Sequence, residues 1–166
     1  MWDYVIMLLF DENTSKKIED LKDLLKSKNI FSTERPWPPH ITVDLYKGIS
    51  INALIDIINQ FIGEIDAFYV DFKGLNKFDN RVLYLEPEIN ENFQVIKNHS
   101  DLMLSAYRIE ENKKYEYTPH ATLVINDDIS GAMKILNSHF KPFRGSVKYL
   151  CVFNESMELQ KQYSLK

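Results

Sequence analysis

The chain has 166 residues, of which 45% are hydrophobic and 13% aromatic, and its formal net charge is −4. That length suits one domain or two half-size lobes sharing a core, and the aromatic content excludes a disordered chain. The negative balance gives no general field for duplex DNA, and the lone Cys151 excludes an internal disulfide or a cysteine-based zinc cage.

In chain order, Tyr4 to Phe10 is a β-rich apolar run; with Asp3 ahead of it, Met1 to Phe10 is no signal peptide. No run reaches the length of a membrane span, so a cytoplasmic protein that engages no membrane is expected. Asn13 or Thr14 can cap a helix reaching Lys28, with Ile18, Leu21, Leu24 and Leu25 on one face. Pro36, Pro38 and Pro39 stiffen the approach to a strand over His40 to Tyr46. Ser50 caps a second helix, carrying Leu54, Ile58, Phe61 and Ile62 and ended by Gly63, and Phe68 to Phe72 is a strand.

A second pass follows the same plan. Arg81 to Glu86 is a strand stopped by Pro87, and Asn90 caps a helix reaching Arg108, with Phe93, Ile96, Met103 and Ala106 inward. A strand runs from Thr118 to Ile125, and Asp127 or Asp128 caps a helix with Ile129, Ala132, Met133 and Leu136 inward. Val147 to Phe153 is a strand, and Gln160 to Leu165 adds a last one across a turn. Tyr4 to His40 spans 36 residues and Val82 to His120 spans 38; His40 to Tyr69 and His120 to Tyr149 both span 29. The chain thus reads as one two-lobed domain, 1–166, built from β-α-β-α-β repeats over roughly 1–75 and 81–166.

The repeats share a motif. Pro38-Pro39-His40-Ile41-Thr42-Val43 and Thr118-Pro119-His120-Ala121-Thr122-Leu123 both read Pro-His-x-Thr followed by an apolar residue. In a strand, residues i and i+2 share a face, so each copy presents an imidazole beside a hydroxyl. If the halves face each other, one cleft holds two imidazoles and two hydroxyls. An imidazole titrates near neutrality, so two of them flanking one atom can act as acid and base. Threonine hydroxyls can donate to oxygens where negative charge gathers. This suits in-line displacement at phosphorus, above all the opening of a ribose 2′,3′-cyclic phosphate.

No cofactor is required by that chemistry. Two His and two Thr alone make a poor divalent site. Simple alternation places Asp44 on the face of Thr42, which keeps a metal-dependent site recruiting Asp44 as an alternative.

The paired His-x-Thr motifs, about 80 residues apart on duplicated halves, resemble those of the 2H phosphoesterase superfamily, which includes 2′-5′ RNA ligase (LigT-like) proteins and cyclic phosphodiesterases. Phe78-Asp79-Asn80-Arg81-Val82-Leu83-Tyr84-Leu85 is similar to that family's strand opening the second lobe, and Tyr163-Ser164-Leu165 to its final strand. The resemblance implies a two-lobed α/β (α+β) fold, each lobe an antiparallel sheet with helices outside, around a central cleft. It implies metal-independent phosphodiester chemistry, with His40 and His120 catalytic and Thr42 and Thr122 holding the phosphate. It favours His40 as the acid and His120 as the activator of water, although a pseudo-symmetric site allows either order. Two features depart from the family. Many members carry Arg where this chain has Ile125, and Asp44 introduces a carboxylate beside the first motif.

Other residues are candidates for substrate contact. Trp37, Tyr46, Tyr115 and Tyr117 flank the motifs and could stack a base, and Arg35, Lys47, Lys114 or Arg81 could supply the missing cation. His99 reads as structural and His139 as a helix-end cation. Glu110 to Lys114 reads as a solvated loop or a lid, and Pro39 and Pro119 as fixing the start of each motif strand. The expectation is a monomer acting on a nucleotide or RNA end. A module that binds such ends with little turnover is the alternative.

Overall fold

The computed structural model describes residues 1–166. The elements are β1 (Tyr4–Phe10), α1 (Glu12–Ser27), β2 (His40–Tyr46), α2 (Ile51–Phe61), β3 (Phe68–Phe78), β4 (Val82–Pro87), α3 (Glu91–Leu104), β5 (Ala121–Ile125), α4 (Ser130–His139), β6 (Phe143–Asn154) and β7 (Leu159–Ser164). The fold is mixed α/β, with antiparallel pairing throughout and four helices outside.

The strand order is β2-β1-β6-β3-β4-β5, with β7 beside β6. Read from either end, this order has the same form: motif strand, first strand, then the third strand of the other half. Each lobe therefore borrows its third strand. β3 and β6 pair with each other only through Phe68–Phe72 and Phe143–Val147. Beyond that stretch β3 turns to β4 and β6 to β1, so two wings diverge from a shared base. The sequence pattern places the end of β3 at Phe72, where Lys73 and Gly74 break the apolar run. A bulge between Phe72 and Gly74 instead carries the strand on to Phe78.

All four helices lie on one side of this sheet. Ile18 and Leu25 of α1, Leu54 and Ile58 of α2, Phe93 and Ile96 of α3 and Leu136 of α4 join one core with Leu8, Ile41, Leu85 and Ala121 from the strands. Each large apolar side chain so buried contributes about 1.5–3 kcal/mol, which fixes which face of each strand looks at the helices. The other face carries a small cluster, Val5, Met7, Cys151 and Phe153, and is otherwise open to the cleft. No helix is long and apolar enough to cross a membrane.

Helix starts differ slightly from the sequence pattern. Asp11, not Asn13 or Thr14, caps α1 by accepting from Thr14 N at 2.8 Å. Thr14 is buried, and its hydroxyl accepts from Ser146 N at 3.0 Å, which docks α1 on β6. Gly145 permits that approach, since a Cβ there would lie 2.6 Å from Thr14 Cγ2. Helix α3 stops at Leu104 and continues as a 3-10 turn to Tyr107, short of Arg108.

Candidate active site

His40 opens β2 and His120 immediately precedes β5. These strands stand at opposite ends of the sheet order, yet they lie near each other, because the two wings curl towards one another. His40, Thr42, His120 and Thr122 are all half-buried. Thr42 is paired with Met7 and Thr122 with Tyr84, on the face turned away from the helices.

Both imidazoles are held in the same way. His40 Nδ1–H donates to Pro38 O at 2.8 Å, and His120 Nδ1–H donates to Thr118 O at 2.7 Å. A carbonyl can only accept, so in the neutral ring the proton must sit on Nδ1. Each Nε2 is left as a free base. The buried Pro39 and Pro119 fix the backbone between each ring and its acceptor.

Burial depresses both imidazoles. Desolvation pushes His40 down to about 4, with smaller pressure in the same direction from the positive charges of Lys22 and of His120; the Pro38 carbonyl opposes it. Desolvation also lowers His120, again opposed by its carbonyl partner. The ligand-free site therefore rests with both rings neutral at pH 7. A bound phosphate's negative charge is what would restore a proton to one of them.

Aromatic side chains wall both imidazoles. Phe78 meets His120 edge-on at 4.9 Å and Tyr84 lies 5.2 Å from it. Trp37 meets His40 edge-on at 6.3 Å and packs on Phe153 at 5.3 Å. The Arg35 guanidinium covers Trp37 at 5.2 Å and Trp2 at 6.0 Å, and donates to Glu155 O. Trp37 and Arg35 thus stand beside His40 as a ledge of stacking surface and charge.

Each motif carries a β-bulge directly after its threonine. Thr42 pairs with Met7 but Asp44 pairs with Ile6, so Val43 is the extra residue. Thr122 pairs with Tyr84 and Val124 with Leu83, leaving Leu123 as the extra residue. A bulge inverts the alternation beyond it. Asp44 and Tyr46 consequently face the helices, and Leu45 and Ile125 the cleft.

That inversion corrects two sequence expectations. Asp44 does not stand beside Thr42, so it is not placed to join the imidazoles around a metal. It is 2% exposed on the opposite face, where Oδ2 meets Lys97 Nζ at 2.5 Å and Arg108 Nε, and Oδ1 accepts from Leu45 N at 2.8 Å and Asn112 Nδ2 at 2.9 Å. Lys97, the 3-10 turn over Asn112–Lys114 and β2 are pinned together by one saturated carboxylate. Lys113 within that turn pairs with Glu110 at 2.6 Å. Tyr46 is 0% exposed in the main core, and no base can reach it.

The remaining candidates separate cleanly. Tyr117 does not present its face to the cleft. Its hydroxyl donates to Thr42 O at 3.0 Å, and Lys97 lies over its ring at 5.5 Å. It is a cross-brace from the second motif to the first. Tyr115 is 74% exposed at the mouth of a pocket behind α3, away from the imidazoles. Arg81 pairs with Asp127 at 3.4 Å. His99 pairs with Glu64 at 2.8 Å and stacks on Phe61, and His139 Nδ1–H donates to Ile135 O at 2.9 Å; both are structural.

The edges of the motif strands are closed reciprocally. Ser32 Oγ accepts from Ile125 N at 3.0 Å and Thr33 N donates to Ile125 O at 2.7 Å. On the other side Ile109 N donates to Leu45 O at 3.2 Å and Lys47 N to Tyr107 O at 2.7 Å. The segment after α1 seals the second motif strand, and the segment after α3 seals the first. Sequence reasoning missed Tyr84, Phe78 and Lys22 around the histidines. Phe78 pairs with Val82 across the turn at Asp79-Asn80 and its ring lies 4.5 Å from that of Tyr84; two aromatics flanking a turn were the signal available.

A family model described as the 2′-5′ RNA ligase superfamily matches residues 10–156. No curated protein matches the chain in sequence. Among solved structures, Escherichia coli LigT in its apo form superposes with a TM-score of 0.69 at 10% identity, covering 99% of this chain and 98% of that one. LigT complexed with 3′-AMP gives 0.67 at 10% identity, with coverage of 99% and 98%. The Thermus thermophilus protein TT0787 gives 0.67 at 13% identity, with coverage of 98% and 97%.

Proposed function

The chain belongs to the 2′-5′ RNA ligase superfamily, and from that premise we propose that it is a metal-independent phosphoesterase. Its substrate is a 2′,3′-cyclic phosphate or a 2′-5′ phosphodiester of a nucleotide or RNA end. The observation that carries this reading is the identical Nδ1–carbonyl lock on His40 and His120, which leaves two Nε2 atoms free at one cleft. The symmetric strand order supports reading the halves, about 1–75 and 81–166, as a duplication that set these two atoms face to face.

In the proposed reaction, one neutral imidazole takes a proton from the attacking water through Nε2. Oxygen attacks phosphorus, and the bond to the departing ribose oxygen breaks. The other imidazole, protonated by virtue of the bound phosphate's charge, passes its proton to that oxygen. Thr42 and Thr122 donate to the non-bridging oxygens, and Trp37 and Arg35 hold the nucleoside beside His40. The resemblance favours His40 as the acid. Its deep desolvation acts against that order, and a pH–rate profile of each single-histidine variant decides between the two.

LigT's complex with 3′-AMP supports nucleotide binding as part of the proposal. A binding module with little turnover is the second reading, favoured by one feature: both cleft-facing residues after the bulges, Leu45 and Ile125, are apolar and add no charge for phosphate. The test is hydrolysis of the four nucleoside 2′,3′-cyclic phosphates in the presence of EDTA. Turnover that persists with the metal chelated is expected. Tight product binding with negligible turnover would replace the phosphoesterase with the binding module.

A further inference from the structure

Between α1 and the segment 28–37 lies a pocket of about 420 Å³ that shares Trp37 and Arg35 with the proposed nucleoside ledge beside His40. That volume falls in the range of small-molecule sites, and the lining sets charged side chains around an apolar floor. Ile30 and Val124 belong to the floor, Phe31 and Trp37 supply aromatic surface, and Lys22 and Glu34 are two of five charged side chains. Trp37 is common to the pocket and to the wall of His40, whose ring is 6.3 Å away.

Glu34 is the informative residue. It is half-buried, and its one hydrogen bond is made by the backbone, Glu34 N donating to Ser32 Oγ at 3.1 Å. Its carboxylate meets no donor. Burial raises its pKa and the charge of Lys22 only partly offsets this. A carboxylate with no protein donor, lining a concave, aromatic-edged site, is placed to accept hydrogen bonds from something that enters.

We propose that this pocket is a nucleobase subsite that selects guanine, on the nucleotide whose phosphate sits between His40 and His120. Among the four bases only guanine presents two adjacent N–H donors, N1–H and N2–H, which match the two oxygens of one carboxylate as a guanidinium does. Adenine and cytosine place a ring acceptor next to their amino group, and uracil flanks its single N–H with two carbonyls. Each would turn a lone pair toward Glu34, which selects against them. Phe31 and Trp37 provide stacking surface for the base, and the positive charge of Lys22 favours the ionised form of the carboxylate.

This inference rests on the phosphoesterase reading, and the test separates the two. Wild type and Glu34→Gln are compared on the four nucleoside 2′,3′-cyclic phosphates, with binding of guanosine 3′-monophosphate followed by tryptophan fluorescence. Wild type should prefer the guanosine substrate in kcat/KM by about tenfold or more, and Glu34→Gln should erase that preference mainly through KM. Equal kcat/KM on all four bases, or a preference that survives Glu34→Gln, overturns the subsite and leaves the phosphoesterase standing. If none of the four is hydrolysed, the phosphoesterase reading fails and binding decides the subsite. Saturable guanosine 3′-monophosphate binding lost in Glu34→Gln upholds it, and the absence of such binding overturns it.

Discussion

The two motif strands are alike on the side that faces the cleft and unlike on the side that faces the helices. On the cleft side, each motif presents His and Thr, the same Nδ1–carbonyl lock, a bulge at the same place and an apolar residue after it, Leu45 in one and Ile125 in the other. On the helix side, the bulge turns Asp44 inward in β2 and Val124 inward in β5. Asp44 gathers Lys97, Arg108 and Asn112 into a buried ionic cluster, whereas Val124 joins the apolar core and the pocket behind the 28–37 segment. Two halves that share one cleft geometry thus support it differently. Polar residues near a motif are therefore assigned by face, and only cleft-facing ones are placed to act at the phosphate in the proposed reaction.

The largest test of that division is on the ionic side. Asp44→Ala takes from Lys97 and Arg108 the buried carboxylate they share, leaving them only the more exposed Asp101, and should destabilise the fold by about 3 kcal/mol in urea unfolding. Adding Lys97→Met to it should recover part of the loss, whereas Val124→Ala should cost clearly less than Asp44→Ala. If Asp44→Ala abolishes turnover while the fold keeps its stability, Asp44 belongs to the chemistry and the division by face is wrong.

On the cleft side the prediction inverts. Thr42→Val and Thr122→Val keep the strand's shape and remove one donor each, so each should lower kcat by about 10² while moving the unfolding midpoint little. Equal losses at the two threonines would sharpen the symmetry, and a loss at one alone would break it.

Tyr117→Phe comes next in size. It removes only the hydroxyl that donates to Thr42 O and should cost about 1 kcal/mol of stability. Because that bond ties one motif to the other, kcat should fall with KM nearly unchanged. A pure rise in KM would instead return Tyr117 to the substrate.

A further effect is on pH. His40 is held near 4 in the fold and titrates at its ordinary value, about 6.5, when unfolded. The unfolded chain therefore takes up this proton first, so the stability due to a neutral His40 is complete above about 6.5 and declines as pH falls towards 4. Urea midpoints measured at pH 7 and pH 5 should converge in His40→Ala relative to wild type. No change in that interval would mean the imidazole is solvated.

Much of this was legible in the sequence, because it depends on local pattern. The repeated Pro-His-x-Thr, the apolar spacing of Leu54, Ile58 and Phe61, and the order of strands and helices are all read from residues close together in the chain. What was not legible depends on backbone register. A bulge leaves no mark in composition, so simple alternation puts Asp44 and Tyr46 on the cleft face, and both lie on the other. Partners distant in sequence were equally hidden. Tyr117 and Thr42 are 75 positions apart, and nothing near either announces the bond. The exchange of third strands between halves belongs to the same class, since it is decided by which edge β3 and β6 meet rather than by their own residues.

The central claim is that His40 and His120 act as one acid–base unit. Its most direct test is turnover of a nucleoside 2′,3′-cyclic phosphate in EDTA by wild type, His40→Ala, His120→Ala and the double variant. Each single substitution should lower kcat by roughly 10²–10⁴, and the double should be little worse than either single, as expected for groups that work together. Wild-type turnover in either single variant, or losses that multiply in the double, would contradict it.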